Sequence, residues 1–270
     1  MTDELIAARA ALHFWEEPCI SGENGSGTVF FSGCSLQCVY CQNHNIAIAQ
    51  TGKAFTGERL SEIFLNLQEQ GAHNINLVTP THYVPHIITA LKRAKNQGLT
   101  LPIVYNTGSY DTVETIQSLD GLIDIYLPDL KYYSCELSQR YSNASNYFSC
   151  ATKAIAEMYR QVKQPLFEGD LMIRGMIVRH LALPNAIKDS KKILEYLWET
   201  YQDNIYVSIM NQYTPLEAVK DYPEINRRVT TREYNKLIDY ALTLGFTNAF
   251  IQEGKTALES FIPPFTCEGI

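Results

Sequence analysis

The chain has 270 residues, 46% hydrophobic and 19% charged, with a formal net charge of −7. Such a composition is globular rather than disordered or fibrous, and the length suits one barrel-sized domain with its own core. The acidic balance argues against a nucleic-acid binder with a broad basic face. No apolar run reaches bilayer length, and the start Met1-Thr2-Asp3-Glu4 lacks a signal pattern, so a cytoplasmic protein without membrane contact is expected.

Strand-like and helix-like segments alternate along the chain. Gly27 to Ser32 reads as the first strand, and Glu58 to Gln70 as a helix stopped by Gly71. A strand over Asn74 to Thr79 precedes a helix over Val84 to Gln97, with Ile87, Ile88 and Leu91 at helical spacing. Pro102 to Asn106 is a strand, Asp111 to Leu119 a short helix, and Leu122 to Leu127 a buried strand. A helix over Ser149 to Gln164, a strand over Leu171 to Leu183, a helix over Ile187 to Tyr201 and a strand over Ile205 to Met210 follow. Thr230-x-x-Glu233 reads as a capping box opening a helix to Leu244, and Ala249 to Gln252 as a last strand. This alternation predicts a parallel α/β sheet, doubly wound or a full or partial barrel, with ligands at the carboxyl ends of the strands. The expected organisation is an N-terminal extension over residues 1–26, a barrel over 27–253 and a C-terminal tail over 254–270.

Seven cysteines are present, so they cannot all pair within one chain, and three of them fall within eight residues. Cys34, Cys38 and Cys41 have the spacing C-x3-C-x2-C directly after the first strand. Thiolates ligate zinc or iron–sulfur clusters. His44 would complete a closed Cys3His zinc site, the reading of a zinc-stabilised binding protein. Three thiolates on a four-iron cluster instead leave one iron open to a chelating ligand such as the amine and carboxylate of S-adenosylmethionine. A strand-end position favours this second arrangement. Cys19, Cys135, Cys150 and Cys267 read as plain thiols, with Cys19 close enough in sequence to line the site.

The spacing, with Tyr40 just before the third cysteine, resembles the radical S-adenosylmethionine signature. Phe14 to Gly22, Gly25 to Cys34, Cys41-Gln42-Asn43 and Asn74 to Tyr83 resemble the PflX-like group, relatives of the pyruvate formate-lyase activating enzymes. The resemblance runs from about residue 10 to the C-terminus. It implies a partial (β/α)6 TIM-like barrel, a [4Fe–4S] cluster on Cys34, Cys38 and Cys41, and S-adenosylmethionine as cofactor. It also implies reductive cleavage to a 5′-deoxyadenosyl radical that abstracts hydrogen. The substrate would be a glycine of a glycyl radical enzyme, or else a peptide or small molecule. An electron donor such as flavodoxin or ferredoxin is the other implied partner. Members of the group often begin with an extra cysteine-rich segment; none precedes residue 10 here, so no second N-terminal metal site is expected.

The resemblance also implies cofactor contacts. Tyr40 would pack near the adenine. Thr79 stands where activating enzymes have a Gly-Gly-Glu turn, which this chain lacks, and His82 beside it is open to substrate contact, proton donation or a structural role. Asn106 before Gly108 suits ribose or carboxylate binding, though it also suits an ordinary turn. Asp129 and Lys131, two apart and on one strand face, would meet the cofactor's amine or ribose and its carboxylate. Arg179 offers a planar fork to a carboxylate, with Arg174 and His180 as alternatives. Gln212 occupies the sixth strand end, where activating enzymes place a histidine.

Overall fold

The computed structural model describes residues 5–252 and 263–270. The strands are β1 (Leu5–His13), β2 (Ser26–Phe31), β3 (Lys53–Phe55), β4 (Ile75–Val78), β5 (Ile103–Thr107), β6 (Ile125–Pro128), β7 (Leu166–Glu168), β8 (Leu171–Leu181), β9 (Tyr206–Met210) and β10 (Ala249–Ile251). The helices are α1 (Pro18–Ser21), α2 (His44–Ala47), α3 (Gly57–Glu69), α4 (Val84–Asn96), α5 (Val113–Gln117), α6 (Cys135–Ser142), α7 (Tyr147–Val162), α8 (Ile187–Tyr201) and α9 (Thr231–Leu244). β2, β4, β5, β6, β8 and β9 run parallel in that order, each followed by helix, and short β10 continues the sheet beside β9. The sheet stays open between β10 and β3, so the chain forms the expected partial (β/α)6 barrel.

Alternation along each strand divides the apolar residues between two sides. Ile103, Tyr105, Tyr126, Met176 and Val178 pack into the main core, to which α3, α4, α7, α8 and α9 also contribute. Their neighbours Val104, Ile125, Leu127 and Ile177 form a separate inner cluster with Cys19 and Ile20. α1 therefore fills the inside of the barrel, and Cys19 is buried there rather than lining the cavity beside the cysteine loop.

The sequence reading missed β1, β3, β7, α1, α2 and α6. β1 reads Leu-Ile-Ala-Ala-Arg-Ala-Ala-Leu-His, alanine-rich and without alternation, a poor strand by composition. It is held by antiparallel pairing on both sides, to β2 and β3, with a register irregularity between Ala7 and Arg9. Of the expected tail over 254–270, residues 254–262 lie outside the described residues. Residues 263–270 return along β1, with Cys267 N–H donating to the Ala8 carbonyl and Ala10 N–H to the Glu268 carbonyl. Among the described residues, no helix is long and apolar enough to cross a membrane.

β4 ends in a turn made without glycine. Thr79 adopts φ 57°, a left-handed conformation that a β-branched residue reaches only at a cost of ~1–3 kcal/mol. Its N–H donates to the Asn106 carbonyl, which ties the turn to β5. Thr79→Gly should therefore raise stability by about 1 kcal/mol, after allowing for glycine's extra freedom when unfolded. Urea unfolding checks this; a lower midpoint would show that the threonine side chain holds the turn.

Candidate functional site

The cysteine loop leaves β2 through Ser32 and Gly33. Gly33 has φ 95°, and a Cβ there would stand 2.8 Å from His82 Nε2. The same nitrogen lies 2.8 Å from the Ser32 carbonyl, which also accepts from the Tyr83 hydroxyl at 3.1 Å. His82 thus braces the start of the loop. The loop continues through half-buried Cys34, Cys38 and Cys41 and is pinned by Val39 N–H donating to the Tyr141 carbonyl of α6.

The three thiols share one neighbourhood. Burial pushes the Cys34 thiol up to about 11 and the Cys41 thiol up to about 12, and Cys38 adds to both shifts. A single zinc ion with sulfur ligands at about 2.3 Å would draw them to roughly 3.8 Å apart. Among the described residues, no three His, Cys, Asp or Glu side chains are gathered to hold one metal ion in this way. His44 heads α2 and is exposed. Three neighbouring half-buried thiols beside Lys131 suit a cluster that leaves one iron open.

Cys38 and Cys41 line a cavity of about 250 Å³ at the strand ends. Tyr40, Asn106, Asp129, Lys131, Arg179 and Gln212 also line it, so six of the seven residues expected around the cofactor meet in one place. Thr79 does not line it; it shapes the turn after β4 instead. Of the three alternatives on β8, only Arg179 reaches the cavity. Arg174 donates to the Gln161 carbonyl at 2.7 Å at the other end of the strand, and His180 points to the opposite face.

The polar residues form a continuous charged chain. Lys131 Nζ donates to Asp129 Oδ2 at 2.6 Å, and Arg179 Nε donates to Asp129 Oδ1 at 3.0 Å. Arg179 also donates to Glu16 Oε2 at 3.1 Å and to Asn106 Oδ1 at 2.5 Å. Glu16 Oε1 accepts from Asn76 at 3.0 Å and Asn106 at 3.2 Å. Burial alone would push the Asp129 carboxyl up, but Lys131 and Arg179 outweigh it and hold the group below its ordinary range. Burial likewise opposes the Lys131 ammonium, yet Asp129 and Cys38 hold it above its usual value. Both cations stay charged beside the thiols.

Sequence reasoning missed Glu16, Glu17, Asn76 and Ser208. The acidic pair before Pro18 was visible within the family-like stretch, but nothing in the sequence showed that α1 would carry it into the barrel. Burial raises the Glu17 carboxyl despite Arg179, Ser208 bonds to it, and one carboxyl oxygen is buried without a hydrogen-bond partner. Glu17 and Ser208 line a second cavity of about 210 Å³ that shares Glu16, Arg179, Met210 and Gln212 with the first.

His180 links this neighbourhood to acid stability. Its Nδ1 lies 2.7 Å from the Leu130 carbonyl, Nε2 is buried without a partner, and burial, helped by Lys131, lowers its pKa to about 4. An unfolded chain takes up the proton near 6.5, so stability present above pH 6.5 is lost as pH falls toward 4. The loss from this residue should be about 3 kcal/mol. Urea unfolding at pH 7 and 4.5 measures it, and His180→Gln should flatten the dependence; an unchanged slope would remove His180 as its source.

Residues 20–140 match the family described as a 4Fe-4S single cluster domain, a span that includes all three loop cysteines. A Methanocaldococcus jannaschii protein, uncharacterized protein MJ0674, is 31% identical over 242 residues, covering 85% of this chain. The chain spans 65% of that relative's length. Among solved structures, Streptococcus suis SuiB bound to S-adenosylmethionine has a TM-score of 0.55 at 14% identity, covering 82% of this chain and 48% of that one. HydG, a maturase of the [FeFe]-hydrogenase, has a TM-score of 0.54 at 16% identity, covering 78% and 47%. Methylornithine synthase PylB has a TM-score of 0.54 at 14% identity, covering 81% and 68%. The chain therefore has the open barrel fold of the radical S-adenosylmethionine type, and its cysteine loop lies in a segment similar to 4Fe-4S single cluster domains.

Proposed function

We propose that the protein is a radical S-adenosylmethionine enzyme, with Cys34, Cys38 and Cys41 holding a [4Fe–4S] cluster. The observation that carries this reading is the meeting of Cys38 and Cys41, with Cys34 beside them, and Lys131, Asp129 and Arg179 at one strand-end cavity. Bound there, a reduced cluster would supply the electron for reductive cleavage of S-adenosylmethionine. The chain's own residues bind and orient. Lys131 and Arg179 present positive charge to the cofactor carboxylate, and Asp129 accepts from its amine or ribose. Asn106 holds Arg179 and Glu16 in place. Tyr40 and Gln212 contribute walls.

The cavity beside Glu17 and Ser208 is where the substrate enters this reading. In line with the activating-enzyme resemblance, the substrate is a glycine of a partner enzyme, reduced flavodoxin or ferredoxin supplies the electron, and the reaction is cytoplasmic. The glycine-free turn at Thr79 favours a second substrate, a peptide or small molecule outside the activating-enzyme pattern.

The deciding experiment is anaerobic purification, cluster reconstitution, and EPR of the dithionite-reduced protein with and without S-adenosylmethionine. A reduced four-iron signal that changes on adding the cofactor, with 5′-deoxyadenosine formed, is the expected result. A colourless protein with stoichiometric zinc would overturn the reading. A glycyl radical doublet on a co-purified partner would select the glycine substrate over the peptide or small molecule.

A further inference from the structure

The three loop cysteines have unequal surroundings. Backbone groups at Leu36 and Asn43 bond to the sulfurs of Cys34 and Cys41. Cys38 has a side-chain partner from a distant element, because Ser142 Oγ donates to its sulfur at 3.0 Å. Ser142 is the last residue of α6 and is buried. Asn143 stops the helix in the left-handed conformation, and the Tyr141 carbonyl accepts from Val39 N–H at 2.8 Å. Two adjacent bonds thus clamp the end of α6 to the cysteine loop.

The serine is itself held. Its hydroxyl lies 2.7 Å from the Tyr132 hydroxyl, which lies 2.6 Å from that of Tyr40. All three side chains are buried. Tyr147 and Tyr213 pack edge-on against this pair at ring separations of 5.5 and 5.9 Å. Each hydroxyl carries one proton. When Cys38 is a thiolate it can only accept, so the Ser142 proton goes to sulfur. The Tyr132 hydroxyl, which donates to Tyr40, lies against the Ser142 oxygen and fixes its position, and in such dry surroundings the bond to sulfur is stronger than it would be in water.

We propose that Ser142, held by Tyr132 and Tyr40, is a positioning residue that donates to the ligating Cys38 thiolate and raises the reduction potential of the cluster. A hydrogen bond to a ligating sulfur stabilises the more negative reduced state over the oxidised one. Cys38 receives this adjustment through α6, an element outside the cysteine loop. The inference rests on the assignment of the three cysteines to a cluster.

The test is a potentiometric titration, followed by EPR, of the anaerobically reconstituted wild type, Ser142→Ala, Tyr132→Phe and Ser138→Ala. Ser138 is buried on the same helix, and its hydroxyl bonds to the Cys135 carbonyl rather than to a cysteine sulfur. Ser142→Ala should shift the midpoint to more negative potential at unchanged iron and sulfide content. Tyr132→Phe should shift it less in the same direction, and Ser138→Ala should leave it in place. A wild-type midpoint in Ser142→Ala with a full cluster would overturn the proposal. If Ser142→Ala fails to hold a cluster, Tyr132→Phe decides, and an unshifted midpoint there overturns it equally. A wild-type protein that assembles no cluster would instead refute the cysteine assignment itself.

Discussion

Replacing Arg179 with methionine should destabilise the protein by about 3–5 kcal/mol, the cost of stranding buried charges. Arg179 and its two carboxylate partners, Glu16 and Asp129, have side chains that are all 15% exposed or less. The guanidinium meets Glu16, Asp129 and Asn106 at once, so methionine removes three hydrogen bonds and leaves two carboxylates facing each other across the barrel. Arg179→Lys should recover only part of the loss, because one ammonium cannot reproduce the planar fork. The deficit should also depend on pH. The lowered pKa of Asp129 contributes stability that is present above its unfolded value and lost as pH falls. Without Arg179 less of that contribution exists, so the gap to wild type should be widest near pH 7 and narrow below about pH 4. Urea unfolding of the three proteins across that range provides the measurement. A deficit under about 1 kcal/mol, the range of an exposed ion pair, would show that water reaches the network freely.

The parallel frame was legible because its signals are local and repeated. β4, β5, β6 and β9 are short apolar runs and β8 a longer one, all set between helices of regular period, and each observed boundary lies within a few residues of the expected one. What escaped depends on partners remote in sequence. β1 lacks strand composition and exists because β2 and β3 flank it; α6 is short and polar, and its ends are set by Ser134 at one side and Asn143 at the other. The site divided along the same line. Cys34, Cys38 and Cys41 announced themselves by spacing, Asp129 by following an apolar strand and Arg179 by standing on one. Glu16 bonds to Arg179, 163 positions away, and Ser142 to Cys38, 104 positions away. No periodicity connects such pairs; only the closing of the barrel does. Thr79 is the instructive case between the two. The sequence singled out its position, whereas its left-handed backbone became visible only in the folded turn.

Single replacement of Cys34, Cys38 or Cys41 with alanine should abolish the brown chromophore, the reduced EPR signal and 5′-deoxyadenosine formation, while His44→Ala should leave all three near wild type. The contrast follows from the donor count. Three thiolates are the minimum that fixes a four-iron cluster with one iron open, so losing any of them leaves too few anchors. His44 is exposed at the start of α2. The fold should survive the cysteine changes. Cys34 and Cys38 pack at the margin of a main core made by residues from nearly every helix and strand. Removing a half-buried thiol there costs on the order of 1 kcal/mol. Circular dichroism and urea unfolding verify that each variant is folded, so a missing cluster can be read as missing ligation. The closed zinc site makes the opposite demand on the histidine. It needs four ligands, so His44→Ala would release the metal and destabilise the loop, and the metal released would be zinc. Iron and zinc analysis of the wild type with these four variants therefore separates the two chemistries in one experiment. Iron retained by His44→Ala but lost from each cysteine variant supports the open cluster, and zinc lost from all four supports the closed site.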